Sequence, residues 1–122
     1  MILDSSALIA FLKREKGGEV VADHLPVACI SSVNLAEVLH VLFRGGATSE
    51  QAHAVVQHLM LPVEPFTAEQ AFLTTSMSHL EGKLSLGDRA CLALGLHLQQ
   101  PVLTAEKSWP SLNLGAEVMV IR

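Results

Sequence analysis

"MILDSSALIAFLKRE", residues 1–15, decides how the chain is read. Three apolar residues, Met1–Leu3, form a short buried strand. Asp4 follows at once, in a place where desolvating a carboxylate is costly. Ser5 and Ser6 then lead into an apolar helix expected over Ser6–Glu15. An acid between strand and helix has two readings. It caps the helix, as Asp often does, or the strand delivers it for chemistry.

The same alternation runs down the chain. Val27–Ile30, Leu61–Phe66, Val102–Thr104 and Glu117–Ile121 are short aliphatic runs and read as further buried strands. Helices are expected over Glu19–His24, Val33–Arg44, Ser49–Met60, Ala68–Leu80 and Leu86–Gln99. Thr48 with Gln51, Thr67 with Gln70, and Ser85 with Asp88 have capping-box spacing. Strands alternating with helices imply right-handed crossovers and a parallel sheet covered on both faces. No repeat, linker or low-complexity tract interrupts the 122 residues, so one domain over residues 1–122 is expected.

Composition narrows the function classes. Half the residues are hydrophobic and 16% are charged, enough apolar surface for a real core and against disorder. With four Phe, one Trp and no Tyr, that core is aliphatic. A formal net charge of −4 excludes bulk electrostatic attraction as the means of holding nucleic acid. Cys29 and Cys91 each sit in an apolar run, without CxxC or Cys/His spacing. Buried free thiols are expected, not a disulfide or a zinc site. No run reaches membrane-spanning length, and no basic region precedes the first apolar stretch, so no membrane association and a cytoplasmic setting are expected.

Ligands of parallel α/β sheets bind beyond the carboxyl ends of the strands. Four acids fall there. Asp4 ends the first strand, and Glu106 lies two residues after "VLT". Asp88 opens the apolar helix "LGDRACLALGLHL", and Glu37 lies within "SVNLAEVLHVLF". Each also has a plain structural reading. Asp4 and Asp88 suit helix caps, Glu37 suits a solvent face opposite Leu35, Val38, Leu39 and Leu42, and Glu106 suits a solvated turn. If the four converge, their mutual repulsion calls for a cation. Mg²⁺ or Mn²⁺ matches an all-oxygen donor set and activates water toward phosphodiesters.

The blocks "ILDSSALIAFL", "ISSVNLAEVL", "LSLGDRACLALGL" and "VLTAEKSW" resemble the PIN-domain family, and more closely its VapC-type toxins of bacterial toxin–antitoxin pairs. They occur in the family's order and span nearly the whole chain. The resemblance implies a three-layer α/β/α sandwich with a mainly parallel sheet. It implies Mg²⁺- or Mn²⁺-dependent RNA cleavage, a homodimer, and a cognate antitoxin that blocks the site. Asp4, Glu37 and Asp88 match the family's first three acids. Ser6 matches a small polar position that orients the acids, and Thr104 the hydroxyl residue before the fourth acid. The family usually carries Asp where this chain has Glu106, which keeps the charge and changes the reach. A non-catalytic PIN-fold binding module with a decayed metal site is the competing reading.

Substrate contacts are less marked. Lys13, Arg14 and Lys16 form the densest basic cluster, and Arg89 adjoins Asp88; Arg44 and Lys107 lie near the acidic blocks. Each either holds RNA phosphates or lies on a solvated face. The six His residues are scattered, and Trp109 is expected to pack under the last strand. The helices at 33–44 and 49–60 are apolar around much of their circumference, which predicts a dimer face or antitoxin groove.

Overall fold

The computed structural model describes residues 1–80 and 82–122. Five strands form one parallel sheet: β1 (Ile2–Leu3), β2 (Cys29–Ser31), β3 (Val63–Glu64), β4 (Val102–Thr104) and β5 (Val118–Val120), in the order β3-β2-β1-β4-β5. Among the described residues six α-helices connect and cover them: α1 (Ser5–Leu12), α2 (Gly18–His24), α3 (Ser32–Arg44), α4 (Ser49–His58), α5 (Ala68–Leu73) and α6 (Leu86–Leu98).

Register explains the layers. Ile2 pairs with Cys29 on one side and Val102 on the other, while Leu3 pairs with Ile30 and Leu103. Successive side chains point to opposite faces. Ile2, Cys29 and Val102 therefore pack with Cys91–Leu94 of α6, Met77 and Trp109. Leu3, Ile30 and Leu103 pack with Ala7, Leu8 and Ala10 of α1, Val21 of α2, Val38 of α3 and Val56 of α4. Two cores on one sheet make the expected α/β/α sandwich. Trp109 is buried, as expected, and so are both free cysteines. Gly95 lets α6 approach the sheet: a Cβ there would stand 2.7 Å from Val102 Cγ2. Among the described residues no helix is long and apolar enough to cross a membrane.

Several boundaries differ from the sequence reading. The strand expected over Val27–Ile30 begins at Cys29, because Leu25–Val27, with Pro26 inside it, forms a 3₁₀ turn. Only Val63–Glu64 of Leu61–Phe66 is strand; Pro62 and Pro65 flank it and lack the N–H needed for ladder bonds. The helix expected over Ala68–Leu80 ends at Leu73 and continues as 3₁₀ over Thr74–Leu80. There Thr74, Thr75 and Ser76 turn their hydroxyls back onto the carbonyls of Ala71, Phe72 and Leu73. The helix expected to start at Ser6 starts at Ser5, with Asp4 as its cap.

Candidate active site

Asp4 leaves β1 at the carboxyl edge of the sheet, where it caps α1 and also accepts a bond from the end of β4. Its Oδ1 accepts the Ala7 amide at 2.8 Å, capping α1. Its Oδ2 accepts the Thr104 hydroxyl at 2.6 Å, from the end of β4. The Ser6 hydroxyl lies 2.7 Å from Oδ1 and 2.9 Å from Oδ2, and itself accepts the Ala105 amide at 2.9 Å. The Glu106 amide donates to Thr104 Oγ1 at 3.0 Å. The ends of β1 and β4 are thus tied by two hydroxyls and one carboxylate.

That carboxylate is only 3% exposed. Burial pushes its pKa up to about 6, the hydrogen bonds from Thr104, Ala7 and Ser6 partly oppose this, and the charge of Asp88 raises it further. Asp88 is held at the start of α6 by a complete capping box: Ser85 N donates to Asp88 Oδ2 at 2.9 Å, and Asp88 N to Ser85 Oγ at 3.1 Å. One carboxylate oxygen is so engaged; Asp88 remains half-buried beside the site. Desolvation of the fully buried Cys91 thiol, with the charges of Asp4, Asp88 and Glu37 added, holds its pKa well above the usual value.

Glu37 has its own setting. Its Oε1 accepts Ser5 Oγ at 2.7 Å and Asn34 Nδ2 at 2.9 Å. Asn34 is buried and also donates to the Gly87 carbonyl at 3.1 Å. The carboxylate rests against Gly87, where a Cβ would lie 2.5 Å from both oxygens. The sequence reading gave Ser5, Asn34 and Gly87 no part in the site. The spacing N-x-x-E, which places Asn34 and Glu37 on one helix face, was the available signal.

Glu106 is exposed in the turn after β4, and among the described residues nothing bonds its carboxylate. Arg89 is half-buried next to Asp88, with Nε 3.4 Å from the Ser85 carbonyl. Lys13 and Arg14 are exposed at the far end of α1, about 12 Å along the helix from Asp4 at 1.5 Å per residue.

The donors suit a hard divalent cation: all are oxygens, and a buried acid with a raised pKa gains from a neighbouring positive charge. Among the described residues no three Asp, Glu, His or Cys side chains gather closely enough to hold one ion by themselves. The fit is to an ion held by one or two carboxylates, with water completing its shell, as Mg²⁺ prefers.

A family model described as the PIN domain matches residues 1–113. The chain belongs to the PIN domain family. Solved structures of similar fold include a toxin–antitoxin complex from Klebsiella pneumoniae, 17% identical with a TM-score of 0.77, matched over 99% of this chain and 97% of that one. VapBC2 from Rickettsia felis, solved bound to a DNA fragment from its promoter, is 16% identical with a TM-score of 0.75, over 98% and 96%. VapBC-5 from Mycobacterium tuberculosis, of the VapBC family of toxin–antitoxin systems, is 21% identical with a TM-score of 0.65, over 99% and 96%. No curated protein matches the chain in sequence. For a PIN domain, the acids at the carboxyl edge of the sheet are the natural place to look for chemistry.

Proposed function

We propose that this PIN domain is a VapC-type toxin, a Mg²⁺- or Mn²⁺-dependent endoribonuclease. The observation that carries the reading is Asp4: a buried carboxylate with a raised pKa, delivered by β1 to the sheet edge and fixed by Ser6 and Thr104. Keeping an acid there costs stability, and such a cost is expected at a functional site. Asp4 and Asp88 would hold the cation, with Glu37 and Glu106 completing the acidic face. A bound divalent ion supplies polarisation of water and charge stabilisation at phosphoryl oxygens.

The chain's own residues do the rest. Ser6 and Thr104 orient Asp4 and keep it ionisable. The Ser85–Asp88 capping box directs Asp88. Arg89, beside Asp88, is the cation best placed for an RNA phosphate; Lys13 and Arg14 would serve a longer RNA running along α1. The acidic balance of the chain makes the metal the main counterion for the polyanion.

Its regulation would be by a cognate antitoxin. The resemblance and the toxin–antitoxin assemblies among the similar structures support that partner. A homodimer is supported by apolar surface on α3 and α4, where Phe43 and Val55 are exposed beside a cleft of about 270 Å³. The test is incubation of purified chain with RNA and Mg²⁺ or Mn²⁺. Cleavage by wild type, abolished by chelation and by Asp4→Asn, is expected. Equal absence of cleavage in wild type and Asp4→Asn, with no metal binding by calorimetry, would favour the non-catalytic module.

A further inference from the structure

Asn34 is buried at 1% exposure on the inner side of α3, yet it makes no contribution to the apolar core. Its amide bridges two elements that carry acids. One proton goes to Glu37 Oε1 at 2.9 Å, the other to the carbonyl of Gly87 at 3.1 Å, one residue before Asp88. Its Oδ1 has no partner among the described residues. A buried unpaired acceptor is unfavourable, and a leucine of similar size would avoid it. Packing therefore does not explain an asparagine here.

Gly87 supplies the second half of the arrangement. A Cβ at this position would stand 2.5 Å from both carboxylate oxygens of Glu37 and 2.6 Å from Cδ. Gly87 has no positive φ, so its backbone does not need glycine; the carboxylate beside it does. Ser5 closes the third side, donating to Glu37 Oε1 at 2.7 Å from the first turn of α1.

We infer that Asn34 and Gly87 are positioning residues for Glu37: together with Ser5 they form a three-sided cradle that ties the Glu37 carboxylate to the start of the Asp88 helix. α1, α3 and α6 bring Asp4, Glu37 and Asp88 to one sheet edge, and the cradle sets the spacing of the last two. Oε1 is committed to Ser5 and Asn34, which leaves Oε2 to face a cation or its waters. The inference rests on the metal-dependent reading of the site.

Mn²⁺ binding to the full chain, followed by loss of the free-ion electron paramagnetic resonance signal, tests it without reference to cleavage. Asn34→Leu and Gly87→Ala should each weaken Mn²⁺ binding by about tenfold or more, the usual size for residues that orient metal-facing carboxylates. Thermal melts show whether each variant folds; Gly87→Ala, at a helical position without positive φ, should still melt cooperatively, with a midpoint lowered as Glu37 is pushed away from Ser5 and Asn34. In a Glu37→Gln background, Gly87→Ala should have little further effect, because the group it displaces no longer carries charge. Wild-type Mn²⁺ affinity in folded Gly87→Ala overturns the proposal. So does an undiminished Gly87→Ala effect in the Glu37→Gln background, which would mean that the methyl acts on Asp88 directly. Wild-type protein that binds no Mn²⁺ overturns the metal-dependent reading itself, and the inference with it.

Discussion

Thr104 donates its hydroxyl to Asp4 Oδ2 at 2.6 Å, across 100 residues of sequence. The bond joins the carboxyl ends of β4 and β1 and is among the forces that hold the Asp4 pKa down against burial. Thr104→Val keeps the shape and removes the donor. The Asp4 pKa should then rise above about 6, as read by carboxyl NMR titration. The variant should lose about 2 kcal/mol of stability near pH 8, the usual cost of a hydrogen bond lost to a buried charge. An unchanged Asp4 titration would show that the hydroxyl does not support the ionised form.

Asp4 also sets a pH dependence of stability. Folding raises its pKa from an ordinary 3.8 to about 6. Between those values the folded chain keeps a proton that the unfolded chain has released. The associated stability is fully present below about pH 4 and is lost as pH rises through about 6. The difference is about 3 kcal/mol, at 1.36 kcal/mol per unit. Metal-free Asp4→Asn, whose side chain cannot ionise, should melt above wild type near pH 8, with the advantage gone near pH 4. Added Mg²⁺ should stabilise wild type near pH 8 and leave the variant unmoved. Parallel melting profiles for the two proteins from pH 4 to pH 8 would contradict this.

The positions of Asp4 and of the Asp88 capping box were legible because each depends on a few neighbouring residues. A strand followed by a small-residue turn places Asp4, and S-x-x-D places Asp88 at the start of α6. The capping reading of Asp4 holds for one oxygen, and the other accepts the Thr104 hydroxyl from the end of β4. The strand Val102–Thr104 matched fully because no proline interrupts its apolar run. β3 was over-read because apolarity continues through Pro62 and Pro65, where pairing cannot. The end of α5 was missed because Thr74, Thr75 and Ser76 compete for carbonyls only once the turn forms. The cradle around Glu37 was out of reach: Gly87 lies 53 residues from Asn34, and no local periodicity joins them.

Glu106 distinguishes a working fourth acid from a bystander. It is exposed, its amide is used by Thr104, and its carboxylate has no bond among the described residues. Glu106→Gln should therefore lower RNA cleavage by less than about tenfold, while Asp4→Asn lowers it by about 10²-fold or more, the scale seen on removing one group that stabilises developing charge. Glu106→Asp restores the acid usual in the family and should raise cleavage. Equal losses for Glu106→Gln and Asp4→Asn would place Glu106 among the essential groups. The comparison requires single-turnover rates at saturating Mn²⁺, so that metal affinity does not enter.

Cys91, in the core on the α6 side of the sheet, feels the charges of the acids and reports on the site from inside. It is fully buried, and desolvation with the charges of Asp4, Asp88 and Glu37 holds its thiol well above the ordinary pKa. Cys29, in β2, is raised more modestly by burial and Glu64, opposed by the N-terminal ammonium group. Thiolate is the reactive form, so both should resist a disulfide reagent near pH 8 in the folded chain and react fully in guanidinium. Cys29, nearer the surface, should react before Cys91 as denaturant rises. If a divalent cation binds Asp4 and Asp88, it ties the end of β1 to the start of α6, and opening of that edge should become rarer. Saturating Mg²⁺ should then slow labelling of Cys91 in wild type but not in Asp4→Asn. Immediate labelling of Cys91 in the native protein would show that the core around it is open to solvent.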